Sequence, residues 1–503
     1  MTPAGTTAPS NALARLDRIL RYALPLLVLI VVANLLDAVL RGRQEMWNEA
    51  RLARAFLPAY GFPMYPAQNA LGPIIGTPHF PLGYLVYTVF AFLKDPALAL
   101  LAASCFSILL CLGPLTWIHR RAALPGGSER LISAYGFLAC VAILLSSPAG
   151  TGLAVNVHVD ASAIGCTVLA AGILAMARVP VGNRALAASA VLSILAVACK
   201  QSMLPVPAAL ACFVLITERP ARFARYVGMQ ILAGATVGSA ILAMFHPLSA
   251  FLFNTYTWGM QLHTNAAAAL ILKGLYTERV VLGAVIPALA VLIGYAFFDQ
   301  NTGVRQLFRS NPSLVFLLIA VFLIPTALRG FTIPGADYNH LSTVVLLVTM
   351  SVTVGLVSSA TIPALIQRGL LAGIIVAALP IPWTLANSIA SRHEIPAETA
   401  FQYEKRHPGR AYFPTNALAA LLADGKATHF DYSLADRDRA RLPISAAQFA
   451  SGIPPHFVLV AYPPGYDPPQ SSAVLQLLHS MRRTTEPELD GWVVYGSADG
   501  GAK

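Results

Sequence analysis

Residues 22–40, YALPLLVLIVVANLLDAVL, carry one charge, Asp37, and follow directly on Arg15, Arg18 and Arg21. About 20 apolar residues in a helix cross the ~30 Å hydrocarbon core of a bilayer. No small-residue cleavage site follows, so the stretch reads as an uncleaved anchor rather than a removed signal peptide. The three arginines ahead of it place the N-terminus in the cytoplasm, because cytoplasmic flanks collect Lys and Arg.

Ten further runs of the same kind follow, near 97–118, 131–148, 161–177, 185–199, 202–217, 226–245, 280–298, 313–328, 341–358 and 369–387. Their sum explains the composition. Apolar residues make up 56% of the 503 and charged residues 11%, and mean hydropathy is +0.64. Soluble globular chains carry roughly 25% charge. A soluble enzyme, a disordered chain, a disulfide scaffold and a coiled coil are excluded, which leaves a polytopic α-helical membrane protein of about eleven spans. The six cysteines (Cys105, Cys111, Cys140, Cys166, Cys199, Cys212) all fall in apolar runs without metal-ligand spacing and read as small buried hydrophobes.

Charge supplies the orientation. Residues 1–388 hold 23 basic and 11 acidic residues, whereas 389–503 hold 11 and 12. Alternating sides from a cytoplasmic start puts Arg15, Arg18, Arg21, Arg120, Arg121, Arg130, Arg178, Arg184, Arg219, Arg222, Arg225, Arg305, Arg309 and Arg368 inside, against nine basic residues outside. An odd number of spans then leaves 389–503 outside, a periplasmic domain in a Gram-negative inner membrane. That tail reads as a small α/β domain, with strand-like runs FVLVAY at 457–462 and WVVY at 492–495. The transmembrane domain takes 1–388, with a long first outer loop over about 41–96. Within that loop HFPLGYLVYTVFAFL, 79–93, is too short to cross and reads as an interfacial or re-entrant helix. The positive charges are dispersed singly and in pairs, which points to membrane anchoring and away from nucleic acid.

Polar groups gather at the outer mouths of the spans, where burying them demands a reason. Glu45, Asn48 and Glu49 open the first loop, and Tyr65 lies further along it. Asn156, His158 and Asp160 precede one span, Lys200-Gln201 follows another, and Arg329, Asp337, Asn339 and His340 fall in RGFTIPGADYNH. Asn254, Trp258, His263 and Lys273 occupy the loop 246–279. Each also has a plain structural reading. Glu49 with Arg51 and Arg54 would make a solvated amphipathic face, and Asp160 a helix N-cap. Lys200 would snorkel to the headgroups, Asp337 with Asn339 would form a turn, His158 would be a loop histidine and Arg329 a span anchor.

These segments resemble the GT-C superfamily, the integral membrane glycosyltransferases that use polyprenyl-phosphate sugars, among them protein O-mannosyltransferases and lipid A aminoarabinose transferases. The family's first outer loop carries an Asp-Glu pair, about a dozen helical residues, a Gly and a Tyr-Pro. Here Asn48-Glu49 is followed by ARLARAFLPAY, Gly61 and Met64-Tyr65-Pro66. The Pro-containing stretch from His79-Phe80-Pro81, the Asp160 span entry, Lys200-Gln201 and Gly335–His340 are similar to bacterial members too. One position departs: Asn48 stands where the family commonly has its catalytic Asp.

The resemblance implies inverting sugar transfer from a polyprenyl-phosphate donor to a hydroxyl of a periplasmic or outer-leaflet glycan, lipid or protein. A carboxylate takes the acceptor's proton, and cations stabilise the departing phosphate. Glu49 fits the first need, with Asp160 as helper or alternative. Lys200, Arg329, His340 and His158 fit the second. Asn48, Tyr65, Gln201, Asp337 and Asn339 would contact substrate. No compact ligand cluster argues for a metal, and a divalent ion held by Glu49 and Asp160 is the alternative. Two other classes remain. A transporter would use midplane charges, of which Asp37 is the one acid inside a span. A non-catalytic factor handling lipid-linked sugars would keep the fold and lose the base, as Asn48 hints.

Overall fold

A computed structural model of the chain describes residues 11–76, 79–123, 129–261, 267–298, 303–331, 333, 339–391, 395–466 and 469–497. Each of the eleven apolar runs is largely helical, although the last leaves its helix, Ala364–Ala378, at Leu379 and becomes helical again only over Leu385–Ala390. Five helices are long and apolar enough to cross a membrane by themselves: Asn11–Gly42, Pro96–Ala122, Val159–Met176, Pro220–Met244 and Leu341–Ser358. Asn183–Cys199, Gln201–Thr217 and Ala364–Ala378 are apolar but shorter. Backbone amides in hydrocarbon find partners only within a helix or a closed barrel, so long apolar runs become helices.

One expected straight span ends in a sharp break, and two others are single helices that follow another helix across one. The run 131–148 breaks between Arg130–Leu145 and Pro148–Val155 with a bend of 113°. Ser147 is extended there and accepts from the Gly150 amide, while Pro148, which has no N–H, opens the second piece. The run 313–328 is joined to a preceding helix, Val304–Ser310, at 116°, and 280–298 to Ala268–Thr277 at 76°.

The basic connections assigned to one side do meet one another. Arg305 and Arg309 donate to the carbonyls of Glu218 and Thr217 at 2.9 and 2.7 Å, and Glu218 accepts from the Val181 amide at 2.8 Å. Arg368 pairs with Asp17 at the start of the first helix. At the first helix's other end Asp37 is buried. It accepts from Thr384 and Ser388 at 2.7 and 2.6 Å and pairs with Arg41 at 2.8 Å. The acid inside a span therefore ties the first helix to the segment that leads into the tail.

The first loop folds as the helix Met46–Phe56, a 3-10 turn Leu57–Tyr60 closed by left-handed Gly61 (φ 80°), and an extended return. Residues 79–93 form two short turns, Leu82–Leu85 and Thr88–Phe92, in place of the single interfacial helix expected. The extended return lies along the tail. The Ile74 amide donates to His429 Nδ1 at 2.9 Å, the Phe430 amide to Ile74 O at 3.1 Å, and the Gly76 amide to Ser433 Oγ at 2.8 Å.

The tail begins with the helix Pro396–Arg406 and builds a four-stranded sheet of order β1-β2-β4-β3. Its strands are β1 (Ala411–Tyr412), β2 (Leu459–Tyr462), β3 (Met481–Thr484) and β4 (Val493–Ser497). β1 runs parallel to β2, and β4 is antiparallel to both β2 and β3. β2 and β4 are the two runs read from sequence. β1 has only two residues, and β3 is the largely exposed MRRT, so neither shows an apolar period. One buried cluster joins loop and tail: Leu52, Phe56 and Tyr84 pack with Leu418, Phe430 and Ala461. Burying one such Leu or Phe contributes roughly 1.5–3 kcal/mol.

Gly83 sets how closely the loop sits on the bundle. A Cβ there would lie 2.5 Å from Val159 Cβ and 2.7 Å from the Cys199 carbonyl oxygen, which cannot swing away. Gly83→Ala is expected to destabilise by about 1–3 kcal/mol through overpacking, read as a lowered thermal midpoint of the purified protein in detergent.

Candidate functional site

The ends of two helices bring the polar residues together. Val159–Met176 starts, and Asn183–Cys199 finishes, beside the first loop. His158 is the N-cap of the former, so Asp160 is not the cap but sits in the first turn, where the helix dipole favours a negative charge. Its carboxylate pairs with Lys200 through Oδ1 and lies 2.7 Å from His158 Nδ1 through Oδ2. Both partners are buried, and Lys200 is 2% exposed, so it does not snorkel. Burial pushes the His158 imidazole down to about 4, although Asp160 opposes the shift. It is therefore neutral at pH 7. Its Nδ1 faces both the Asp160 carboxylate and the Asp160 amide, which donates to it at 3.3 Å as the N-cap bond.

Three residues expected to touch substrate instead hold the walls of this cluster. Asn48 Nδ2 donates to Gly42 O at 2.8 Å, and its Oδ1 accepts from the Val157 amide at 3.1 Å. Asn48 thus fastens the first-loop helix to the short link that carries His158. Tyr65 Oη donates to His79 O at 2.7 Å, and Gln201 Oε1 accepts from the Phe80 amide at 3.2 Å. Together they seat His79, whose ring stands edge-on to His158 at 5.3 Å. Burial first, then His158 and Lys200, hold His79 well below the usual histidine range, and its buried Nδ1 has no hydrogen-bond partner among the described residues.

His79 and Arg54 are the residues sequence reasoning passed over. Arg54 is buried with its guanidinium 5.0 Å from the Tyr65 ring and 5.1 Å from the Tyr84 ring. It packs on Gly76, whose φ of 116° and missing side chain leave the room it fills. The solvated face imagined for Glu49 and Arg54 is in fact the buried one. An arginine five residues after an acid, with a second arginine between them, looks like an exposed charged face, and only the aromatic pair around it reveals burial.

Glu49 lies next to Asn48 but turns elsewhere. It is 2% exposed, and its Oε2 accepts from Asn416 Nδ2 of the tail at 2.7 Å. Burial raises its carboxyl to about 8, against the pull of Asn416 and the amides of Leu418 and Ala419. Asp160 and Glu49 therefore have separate partners. Arg329 is half-buried at the end of Leu314–Gly330, the helix whose Leu323, Thr326 and Ala327 share a small cavity with Lys200, Ser202 and Thr343. Asp337 and His263 lie outside the described residues, and Asn339 and His340 open the helix Asn339–Ser358 with side chains outside that set. Asn254 Nδ2 donates to Pro66 O at 2.7 Å and holds the loop. Among the described residues no three His, Cys, Asp or Glu side chains gather as metal ligands.

No family model matches the sequence, and no curated protein does. Two solved structures match across nearly the whole chain. Both are ArnT from Cupriavidus metallidurans, one in the apo state and one bound to undecaprenyl phosphate. Each superposes with a TM-score of 0.57, at 13% and 14% identity. The matches cover 93% and 95% of this chain and 97% and 99% of the ArnT chain.

The chain has the ArnT fold. The expected architecture, a polytopic helical bundle with a small sheet-bearing tail, is borne out by this likeness. Identity this low carries the fold and leaves the chemistry to the residues themselves.

A buried ion pair is costly to break from one side. Asp160→Asn leaves the Lys200 ammonium unpaired and is expected to destabilise by about 3–5 kcal/mol. The double variant Asp160→Asn with Lys200→Met should recover most of the thermal midpoint without recovering function, which separates the structural from the chemical role.

Proposed function

We propose that the chain is a membrane glycosyltransferase that moves a sugar from a polyprenyl-phosphate donor to a hydroxyl of an envelope glycan, lipid or protein. The observation that carries the proposal is the buried Asp160–Lys200–His158 cluster where the bundle meets the first loop. It occurs in a fold of which one solved member holds undecaprenyl phosphate. In the proposed step the acceptor oxygen attacks the anomeric carbon, and the bond from that carbon to the phosphate oxygen breaks. The phosphate leaves with the electron pair, and the acceptor's proton passes to a carboxylate. Inversion follows from a single displacement.

Roles divide between two walls. On the donor side Lys200 stabilises the growing phosphate charge, held in place by Asp160, with Arg329, His340 and His158 as further donors. Asp337 and Asn339 serve as substrate contacts. On the acceptor side Glu49 takes the proton. Asn48 cannot serve as base, and its amide instead ties the two walls together. A departure from the family's Asp thus does not by itself favour a non-catalytic factor. The transporter alternative loses its main support, since Asp37 is held by Thr384, Ser388 and Arg41. In this scheme cationic side chains do the work a divalent ion would otherwise do, so EDTA is expected to leave turnover unchanged. The N-terminus lies in the cytoplasm and the tail in the periplasm of a bacterial inner membrane. A reporter active only in the cytoplasm should be silent when fused after residue 503.

Transfer from a labelled polyprenyl-phosphate sugar in membranes, normalised to protein level, tests the chemistry. Lys200→Ala is expected to lower turnover roughly 100- to 1000-fold, the scale of one preorganised donor. Retention of more than about half the rate would make Lys200 a structural ion and move phosphate binding to Arg329 and His340. Glu49→Gln should abolish transfer. Because Glu49 is raised to about 8, its basic form gains population as pH rises through that value, and turnover should rise with it.

A further inference from the structure

The face of the first-loop helix that bears Glu49 is covered by the tail. Asn416, itself buried, stands directly before the tail helix Ala417–Asp424 and donates Nδ2 to Glu49 Oε2 at 2.7 Å. Its Oδ1 accepts from Thr415 Oγ1 at 3.0 Å, which turns the amide nitrogen toward Glu49. The seam around them is dry. Ala50, Ala53, Phe56 and Leu57 of the loop share one buried cluster with Leu418, Leu421 and Leu422 of the tail. Trp47, two positions before Glu49, packs its ring 5.4 Å from Phe430 and 4.8 Å from Tyr432. The second carboxylate oxygen, Oε1, is buried and has no hydrogen-bond partner among the described residues.

We propose that Asn416 is a positioning residue for Glu49, so that the tail forms part of the acceptor side of the site. The inference rests on the transferase function proposed above. One oxygen of the carboxylate is anchored from the tail, and the other is left to take the proton of the acceptor hydroxyl. Oε1 is closed off from solvent, so the acceptor's arrival shifts the seam between first loop and tail. The tail is then no appendage: an acceptor that approaches from the soluble side meets tail residues and the base together.

The groups that act on Glu49 from the elements packed against it are uncharged: Asn416 and the amides of Leu418 and Ala419. On its own helix Arg54 faces Tyr65 and Tyr84, and Arg51 lies over Trp47. Asn416 hydrogen-bonds the ionised form, so losing it must raise the carboxyl further.

Infrared titration of the full chain in detergent reads this without any substrate. A carboxyl with a midpoint near 8 is expected in the wild type and should vanish in Glu49→Gln. Asn416→Ala should move that midpoint up by about one to two pH units, the scale of one hydrogen bond to a charged group. Asn416→Asp, nearly the same shape, should also move it up by placing a second carboxyl beside the first. The pH at which turnover of a labelled polyprenyl-phosphate sugar rises should shift with the infrared midpoint, with activity recovering at high pH. An unchanged midpoint, or a loss of turnover by one factor at every pH, would overturn the positioning role. Failure of both variants to fold would do so too, in favour of a purely structural contact. A wild-type chain that moves no sugar would refute the transferase function alone, because the infrared midpoint still judges the contact.

Discussion

The buried pair of Asp160 and Lys200 is the interaction around which the rest is arranged. Two charges at the edge of a helix bundle are expensive to desolvate, and attraction between them repays the cost only when both are fixed. The backbone does the fixing. Asp160 lies in the first turn of one helix, and Lys200 in the single-residue link between Asn183–Cys199 and the turn Gln201–Met203. Neither has slack to turn toward water. His158 and the edge-on ring of His79 close the remaining approach, both neutral because burial outweighs the neighbouring carboxylate. The result is a compact polar island in apolar surroundings.

The second constraint is the seam between first loop and tail. The loop is long and contains few regular elements, so its own hydrogen bonds do not hold it. It borrows them instead: Ile74 and Gly76 from His429 and Ser433, and Gln68 O from Gln448 and Arg437. A buried loop without such partners would leave amides and carbonyls unsatisfied. The loop helix gains on both faces. Asn48 fastens one to the bundle and Asn416 meets the other through Glu49. The helix that carries the proposed base is thereby held from the bundle on one side and from the tail on the other.

What the chain by itself determined is the membrane class, the place of most apolar helices, the two longer tail strands and the mouths where polar residues collect. These follow from hydropathy and charge counted along neighbours, and a bilayer enforces both over 20 residues at a time. The tertiary structure decided who meets whom. Asp160 found Lys200 at a separation of 40 positions, Asn48 found Val157 at 109, and Glu49 found Asn416 at 367. It also decided that 131–148 bends at Ser147, that Arg54 is buried between two tyrosines, and that His79 joins His158. No periodicity encodes such meetings. They depend on how helices pack and where a loop is pinned, and a side chain's partner is set by that packing rather than by its neighbours in sequence.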